Sequence, residues 1–282
     1  MALNPTHKED AYIPRWIPTV FYLPGRRIAE YRILLKNVPG ALNAVTETLR
    51  KYGANVISIC APPVSTEETA WVTIGVDLTN ATASPEEVAE RLRRRRKLLS
   101  VEYVEGNDFL LEAYHFKLLT ALGRAFVQNV NGYAEIVKAL RAAFGSAADF
   151  VLFMQGVNYG EAVVRGYCKA FPFLFEGGVN NVAKFLAELG RSHGFAILKF
   201  EELNLDKGVA QIVAYDLYEC EPFRGQLNSA NSQYFRGMIS GITRALTGIE
   251  DYVFFEEKCI AKGDPYCSFK LERVKQSPSR KT

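Results

Sequence analysis

Of 282 residues, only five are cysteine and three are histidine. Five scattered cysteines are too few for a disulfide scaffold. No apolar run approaches the roughly 20 residues that a membrane-spanning helix needs. Residues 1–15 carry no cationic segment running into a long apolar stretch, so no signal peptide is visible. The net charge is only +3, too small an excess to argue for nucleic acid or a membrane surface as partner. There is no Gly-x-Gly-x-x-Gly turn, no phosphate-cradling lysine loop and no Gly-x-Ser-x-Gly elbow. The nucleotide-binding and serine-hydrolase readings therefore have nothing to rest on. What remains is a cytoplasmic protein with reduced thiols.

Hydrophobic residues at 48% and charged residues at 23% are globular values, which excludes a disordered or fibrous chain. The length predicts one large domain or two ordinary ones. Residues 1–28 contain Pro5, Pro14, Pro18 and Pro24, which forbid a regular helix. Trp16, Ile17, Phe21 and Tyr22 among them argue against a solvated tail, so an extended arm on a domain or a partner subunit is expected.

Residues 29–107 read as βαββαβ, a ferredoxin-like α+β sandwich. Tyr31-Arg32-Ile33-Leu34-Leu35 is a strand, and Asn37-Val38-Pro39-Gly40 a turn. Ala41, Leu42, Val45, Leu49 and Tyr52 recur at helical spacing up to Gly53. Two β-rich runs follow, 55–59 and 71–78. Ser84-Pro85-Glu86-Glu87 is a helix start, and residues 101–104 close the set. Arg91, Arg93, Arg94, Arg95, Arg96 and Lys97 place six cations around most of a helix circumference, the pattern of a solvated helix end; a phosphate contact is the sharper alternative.

Residues 110–273 read as a mixed α/β domain with an antiparallel sheet. Helices are expected over 118–127, 133–144, 159–167, 180–189 and 234–246. Strands are expected over 150–153, 196–200 and 209–218, and a hairpin pairs 252–256 with 267–271 across Gly263-Asp264. Residues 274–282 read as a disordered basic tail. Cys60 and Cys168 read as core residues.

The first domain resembles an ACT domain, on its element order and on the Asn37-Val38-Pro39-Gly40 turn. The resemblance implies an amino acid held there, its carboxylate on the unsatisfied amides of the helix start and its ammonium near Asn37. A pure dimerisation role is the alternative. Such sheets pair edge to edge, so a homodimer is expected.

The second domain is similar to the vinyl-reductase-type family, a TRAPP-subunit-like fold. The segment Glu256-Glu257-Lys258-Cys259, the glycine turn and Cys267-Ser268-Phe269 carry the likeness, with the small-residue helix at Gly237 to Gly241 and the region from Gly156 to Gly160. The family includes sensory domains of aromatic-responsive activators and a branch linked with bacteriochlorophyll synthesis. Two thiolates and a carboxylate, Cys259, Cys267 and Glu256, are plausible zinc ligands. Metal-binding members carry a further cysteine before the small-residue helix; here Ser232 stands at that spacing, leaving Cys220, Ser232 or water as the fourth ligand. A Cys259–Cys267 disulfide and two free thiols stay open beside zinc.

An apolar or aromatic ligand in this domain would be walled by Phe153, Gln155, Tyr159, Phe173, Tyr215, Tyr218 and Tyr234. The resulting expectation is a small-molecule-sensing regulatory protein, with output through a dimer or a partner. An enzyme or accessory protein acting on an aromatic or tetrapyrrole compound is the alternative, and a ligand-free assembly subunit the blander one. No catalytic residue is assigned.

Overall fold

The computed structural model describes residues 20–61, 67–106, 109–111, 113–114 and 117–274. Residues 1–19 of the expected arm and the tail from residue 275 lie outside the described residues. The chain divides into two compact units, residues 1–116 and 117–282.

The first unit holds β1 (Val20–Tyr22), β2 (Ile28–Lys36), α1 (Ala41–Lys51), β3 (Asn55–Cys60), β4 (Thr69–Asp77), α2 (Pro85–Arg93), β5 (Leu98–Gly106) and β6 (Phe109–Leu111). Its main sheet runs β3-β4-β2-β5, all antiparallel. Along β2 the alternate residues Ala29, Tyr31, Ile33 and Leu35 are buried against Val45 and Leu49 of α1 and Val88 and Leu92 of α2. Period two in the strand and period 3.6 in the helices thus meet in one core. A capping box starts α2: Ser84 Oγ accepts the Glu87 amide, and the Glu87 carboxylate accepts the Ser84 amide. β1, the described end of the arm, pairs antiparallel with β6.

The basic run is not one helix face. α2 stops at Arg93; of the six cations Arg95 is half-buried and the other five are exposed, as a solvated helix end would be, yet three of them hold specific acceptors. Arg93 Nε donates to the Val101 carbonyl at 3.1 Å, Arg95 Nε to Thr48 Oγ1 at 3.1 Å, and Lys97 Nζ to the Pro39 carbonyl at 2.9 Å. Arg93 thus ties α2 to β5, and Arg95 and Lys97 tie the segment after α2 to α1 and to the turn before it.

The second unit holds β7 (Leu118–Thr120), β8 (Gly123–Ala125), α3 (Val130–Phe144), α4 (Ser146–Ala170), α5 (Phe173–Glu176), α6 (Gly178–Ser192), β9 (Ile197–Asn204), β10 (Val209–Tyr215), α7 (Gln233–Thr247), β11 (Tyr252–Lys258) and β12 (Cys267–Arg273). Its four-stranded antiparallel sheet runs β11-β12-β10-β9. Two expectations are corrected. Residues 118–127 form the β7–β8 hairpin rather than a helix, with Lys117 and Gly123 both at positive φ, which a right-handed helix cannot contain. Residues 150–153 lie inside the 25-residue α4 rather than in a strand. A short apolar run reads equally as either element.

α4 and α7 cross at backbone contact. Gly156 and Gly160 on one face Gly237 and Gly241 on the other, each pair four residues apart. An added Cβ at any of the four would stand 2.0–2.1 Å from a carbonyl oxygen of the opposite helix. α7 in turn lies on the sheet, with Phe235, Met238, Ile239 and Ile242 in a core that includes Ile212, Phe254 and Phe269. Among the described residues, no helix is long and apolar enough to cross a membrane.

Candidate metal centre

β11 ends in Glu256-Glu257-Lys258, with a bulge in its pairing to β12 between Glu256 and Lys258. Cys259 follows, then a 3-10 turn over Ile260–Lys262, Gly263 at φ 100, and Cys267 at the start of β12. The turn is held from inside. The Cys259 amide donates to Asp264 Oδ2 at 2.8 Å, and the Ile260 amide points at Cys267 Sγ, 3.5 Å away. The turn thus faces two sulfurs and one carboxylate in the same direction.

Cys220 enters from the connection between β10 and α7. Its sulfur lies 3.5 Å from that of Cys259. One ligand atom each from Cys220, Glu256, Cys259 and Cys267 can be chosen so that all lie within 4.8 Å of one another, and the three cysteines are fully buried. None of these three is in a disulfide. Ser232 lies beside the group: its amide donates to Glu256 Oε2 at 3.2 Å, while its own Oγ and Glu256 Oε1 are buried without a hydrogen-bond partner among the described residues.

This donor set fits zinc. Zinc–sulfur bonds of about 2.3 Å in a tetrahedron put sulfurs about 3.8 Å apart, close to the spacing seen. Three soft sulfurs with one carboxylate suit zinc rather than a hard cation. The orphaned Glu256 Oε1 is the further sign, because a buried carboxylate oxygen without a partner is costly.

The surroundings support the sulfurs. Asn231 is fully buried; its Nδ2 donates to the Glu219 carbonyl at 2.6 Å and stands 4.0 Å from Cys220 Sγ. Arg141 donates to Asn231 Oδ1 and is paired with Asp149 at 2.8 Å. The buried Glu219 carboxylate caps α7, accepting the amides of Tyr234 at 2.9 Å and Phe235 at 2.7 Å. One peptide thus carries both a metal-type ligand, Cys220, and the cap of the helix crossing α4. Glu219, Asn231 and Arg141 were not singled out in the sequence; a Glu-Cys pair ahead of a helix was the one signal available.

Titration follows from this burial. Hydrogen bonds with Cys220 and then Cys267 hold the Cys259 thiol well below its ordinary value, while the bond to Cys259 raises Cys220. Burial pushes the Glu219 carboxyl up to about 7, against the opposing amides of Phe235 and Tyr234. Burial, and then Cys259, push Glu256 up to about 8. In the metal-free protein both carboxyls bind a proton more tightly folded than unfolded, where their ordinary value is 4.5. Their contribution to stability is complete below that value and is lost as pH rises through 7 and 8. Metal binding needs deprotonated ligands and so stabilises more as pH rises. The lowered Cys259 thiol works the other way, adding stability as pH rises, but it offsets only one of the two carboxyls; the metal-free second unit should therefore still melt lower at about pH 8 than at about pH 5.5, and the zinc-loaded unit should not. Calorimetry at both values, with and without chelator, checks this; parallel pH slopes would refute it.

Of the other expected site residues, the structure brings Tyr159 and Tyr234 together. Phe153 lies under the Arg236 guanidinium at 4.7 Å. Tyr159 meets Tyr234 at 6.0 Å, and Tyr215 meets Tyr266 at 5.5 Å. Tyr218 sits between Tyr133 and Phe195, at 5.5 and 5.4 Å. Gln155 is exposed, and Phe173 is 63% exposed beside Phe171. α4 and the β7–β8 turn form an open cleft of about 550 Å³, of which Tyr159 is one wall with Leu122, Val163, Gly166 and Lys169. In the first unit Asn37 Nδ2 donates to the Glu67 carbonyl at 3.0 Å. Val38 is exposed, and Gly40 is the α1 N-cap at φ 76, with no side chain capping that helix. Cys60 is exposed, which corrects its assignment to the core, while Cys168 is half-buried and packs against the core of the second unit.

Set beside known proteins, the chain matches no family model and no curated protein. Several solved structures are similar. The phenol-responsive sensory domain of the transcription activator PoxR is 18% identical over 55% of this chain and 79% of that one, with a TM-score of 0.47. A vinyl-4-reductase family protein from Methanocaldococcus jannaschii is 16% identical over 54% and 99%, TM-score 0.32. The ACT domain of a GTP pyrophosphokinase from Chlorobium tepidum is 16% identical over 28% and 99%, TM-score 0.24. The chain is an α+β protein of ferredoxin-like and mixed α/β parts. It resembles an ACT domain joined to a vinyl-reductase-type domain.

Proposed function

We propose that this chain is a small-molecule-responsive regulatory protein whose second unit is organised by one zinc ion on Cys220, Glu256, Cys259 and Cys267. The observation that carries the metal assignment is the buried meeting of three sulfurs and an orphaned carboxylate oxygen within 4.8 Å. With four protein donors the site has no open position, the form of a structural rather than a catalytic zinc. When bound, the ion supplies a cross-link between the β10–α7 connection and the β11–β12 turn. The chain's own residues do the rest. Glu219 and Glu256 hold the first amides of α7, and the glycines seat α7 on α4. A further face of α4 lines the cleft.

The cleft suits an apolar or aromatic compound with an acidic group, since its walls are Leu122, Val163 and Tyr159 and its cation is Lys169. A ligand there acts on the helix that the metal-held α7 rests on, the arrangement a linked response requires. In the first unit, the uncapped start of α1 beside Lys97 suits the carboxylate of an amino acid.

Two measurements on the full chain test the reading. Elemental analysis should find about one zinc per chain. A thermal-shift panel of apolar carboxylates, phenols and amino acids should contain at least one stabiliser; at about 100 times its Kd a ligand adds about 2.7 kcal/mol. Absence of metal would remove the zinc assignment. A zinc-loaded protein indifferent to the whole panel would remove the sensing role.

A further inference from the structure

Charge is distributed very unevenly over the first unit. Over residues 1–116 cations and acids are equal in number, fourteen of each. Six of the cations fall in the seven residues from Arg91 to Lys97, so the remainder of the unit carries six more acids than cations. α2 shows the division within itself, with Glu86, Glu87 and Glu90 in its first turns and Arg91 and Arg93 in its last. The helix dipole accounts for those two cations. It does not account for the other four. Arg94 to Lys97 lie beyond the last helical residue, and the dipole's reach ends with the last turn.

The run is positioned without being neutralised. Among the described residues only Arg94 and Arg95 of the six meet a carboxylate, Glu90 and Glu47, each at the long distance of 3.8 Å. Arg93 and Lys97 are fixed by the carbonyls of Val101 and Pro39, which set where a cation stands and leave its charge uncompensated. Arg91 and Arg96 are exposed, with no ion pair among the described residues. Four positive charges are thus left for an outside anion. Five of the six side chains are arginine, whose planar fork matches the oxygens of a phosphate. Duplex nucleic acid carries one such charge per about 1.7 Å of axis, dense enough for neighbouring cations each to meet one. A single strand is held by stacking on exposed aromatic rings, and α1, α2 and the run contain none. A lipid-inserting face carries bulky apolar side chains among its cations. Here the one apolar residue within the run, Leu92, is fully buried, and the exposed Val38, Leu42 and Leu99 stand outside it.

We infer that the Arg91–Lys97 run is a docking surface for the phosphate backbone of duplex nucleic acid, met without regard to base sequence. The inference rests on neither the metal nor the ligand reading. The small net charge of the whole chain, +3, does not oppose it, because the excess is local and the balancing acids lie elsewhere.

Fluorescence anisotropy tests it, with the full chain titrated into a labelled duplex of about 30 base pairs, as DNA and as RNA. If the four uncompensated cations each meet a phosphate, the logarithm of affinity should fall against that of salt with a slope of about −3.6. That is a loss of about 50-fold between about 50 and about 150 mM salt. Arg91→Gln/Arg96→Gln should reduce the slope by about two and weaken binding at least about 10-fold at about 50 mM salt. Lys184→Gln/Lys270→Gln removes two charges from exposed positions of the second unit and should bind as the wild type does. Arg91 and Arg96 are exposed, so unchanged melting is the control for folding. Should their double variant melt lower, the two single variants replace it, each expected to reduce the slope by about one. No binding of either duplex at about 100 µM protein and about 50 mM salt overturns the proposal. So does undiminished binding by the Arg91/Arg96 variant. Equal weakening in both double variants would reduce the effect to net charge and overturn it. Anionic vesicles or polyglutamate bound more tightly than the duplex at matched charge would assign the run to a membrane or an acidic protein, and overturn it as well.

Discussion

Cys259→Ser is expected to abolish metal retention and to unfold the second unit under conditions where the wild type is folded. Cys259 is the sulfur at the centre of the cluster, 3.5 Å from Cys220 and on the same turn as Cys267. With it gone, a zinc ion would have two sulfurs and a carboxylate left. The structural contribution of such ions is about 10–16 kcal/mol in small zinc domains, against a total stability of about 5–15 kcal/mol for an ordinary domain. Loss of even half that figure leaves little. Cys220→Ser should behave alike, because Cys220 is as deeply buried and its loss removes the link from the β10–α7 connection. Cys168→Ser, outside the cluster, should change neither metal content nor melting. Elemental analysis with calorimetry on the three variants decides the matter. A Cys220→Ser protein with full metal and wild-type melting would take Cys220 out of the ligand set. A wild type without metal, and two hydrogens light by mass, would mean a disulfide instead.

How far these features could be read in advance depended on whether their signals were local. The first unit was legible because the apolar positions of α1 recur at helical spacing and Ser84-Pro85-Glu86-Glu87 carries its own helix start. Three of the four sulfur and oxygen donors were legible for the same reason: Glu256, Cys259 and Cys267 sit around one glycine turn. Cys220 was only one of three candidates for the fourth position, because it is brought in by the path of the chain between β10 and α7. The spacing that pointed to Ser232 found the right neighbourhood, since its amide bonds Glu256, but not the fourth sulfur. Phe150-Val151-Leu152-Phe153 misled because β-branched and aromatic residues inside a long helix look like a strand when the window is short. Which rings share a cavity was not legible for a further reason: composition says that rings are present, but only the tertiary fold says which face each one occupies. Glu219 left only the weak signal of a Glu-Cys pair, since an acid before a helix is ordinary until burial shows that it caps that helix beside a cysteine cluster.

Gly160→Ala should be among the most destabilising single-methyl additions in this protein. In an open helix the change would help, since alanine favours helix over glycine by about 1 kcal/mol. At Gly160 the new Cβ would stand 2.1 Å from the Met238 carbonyl oxygen and 2.9 Å from the Ile242 amide nitrogen. Both are backbone atoms of α7, so no rotamer change relieves the clash. The helices must move apart, and the reciprocal contacts of Gly156, Gly237 and Gly241 open with them. Overpacking of this kind costs about 1–3 kcal/mol and at times more, enough to outweigh the gain in propensity and to lower the melting temperature by about 5–10 °C. Gly132→Ala is the matched control. It lies in the first turn of α3 with nothing within 4 Å of the added Cβ and no positive φ, so it should be neutral or slightly stabilising. Because α7 also carries the amides held by Glu219, and its neighbour Ser232 bonds Glu256, a displaced α7 should loosen the metal as well. Gly160→Ala should then release zinc to a chelator faster than the wild type, while Gly132→Ala should not. Equal unfolding midpoints for the two variants would show that the helices have room to spare, and that their glycines are not what sets the crossing.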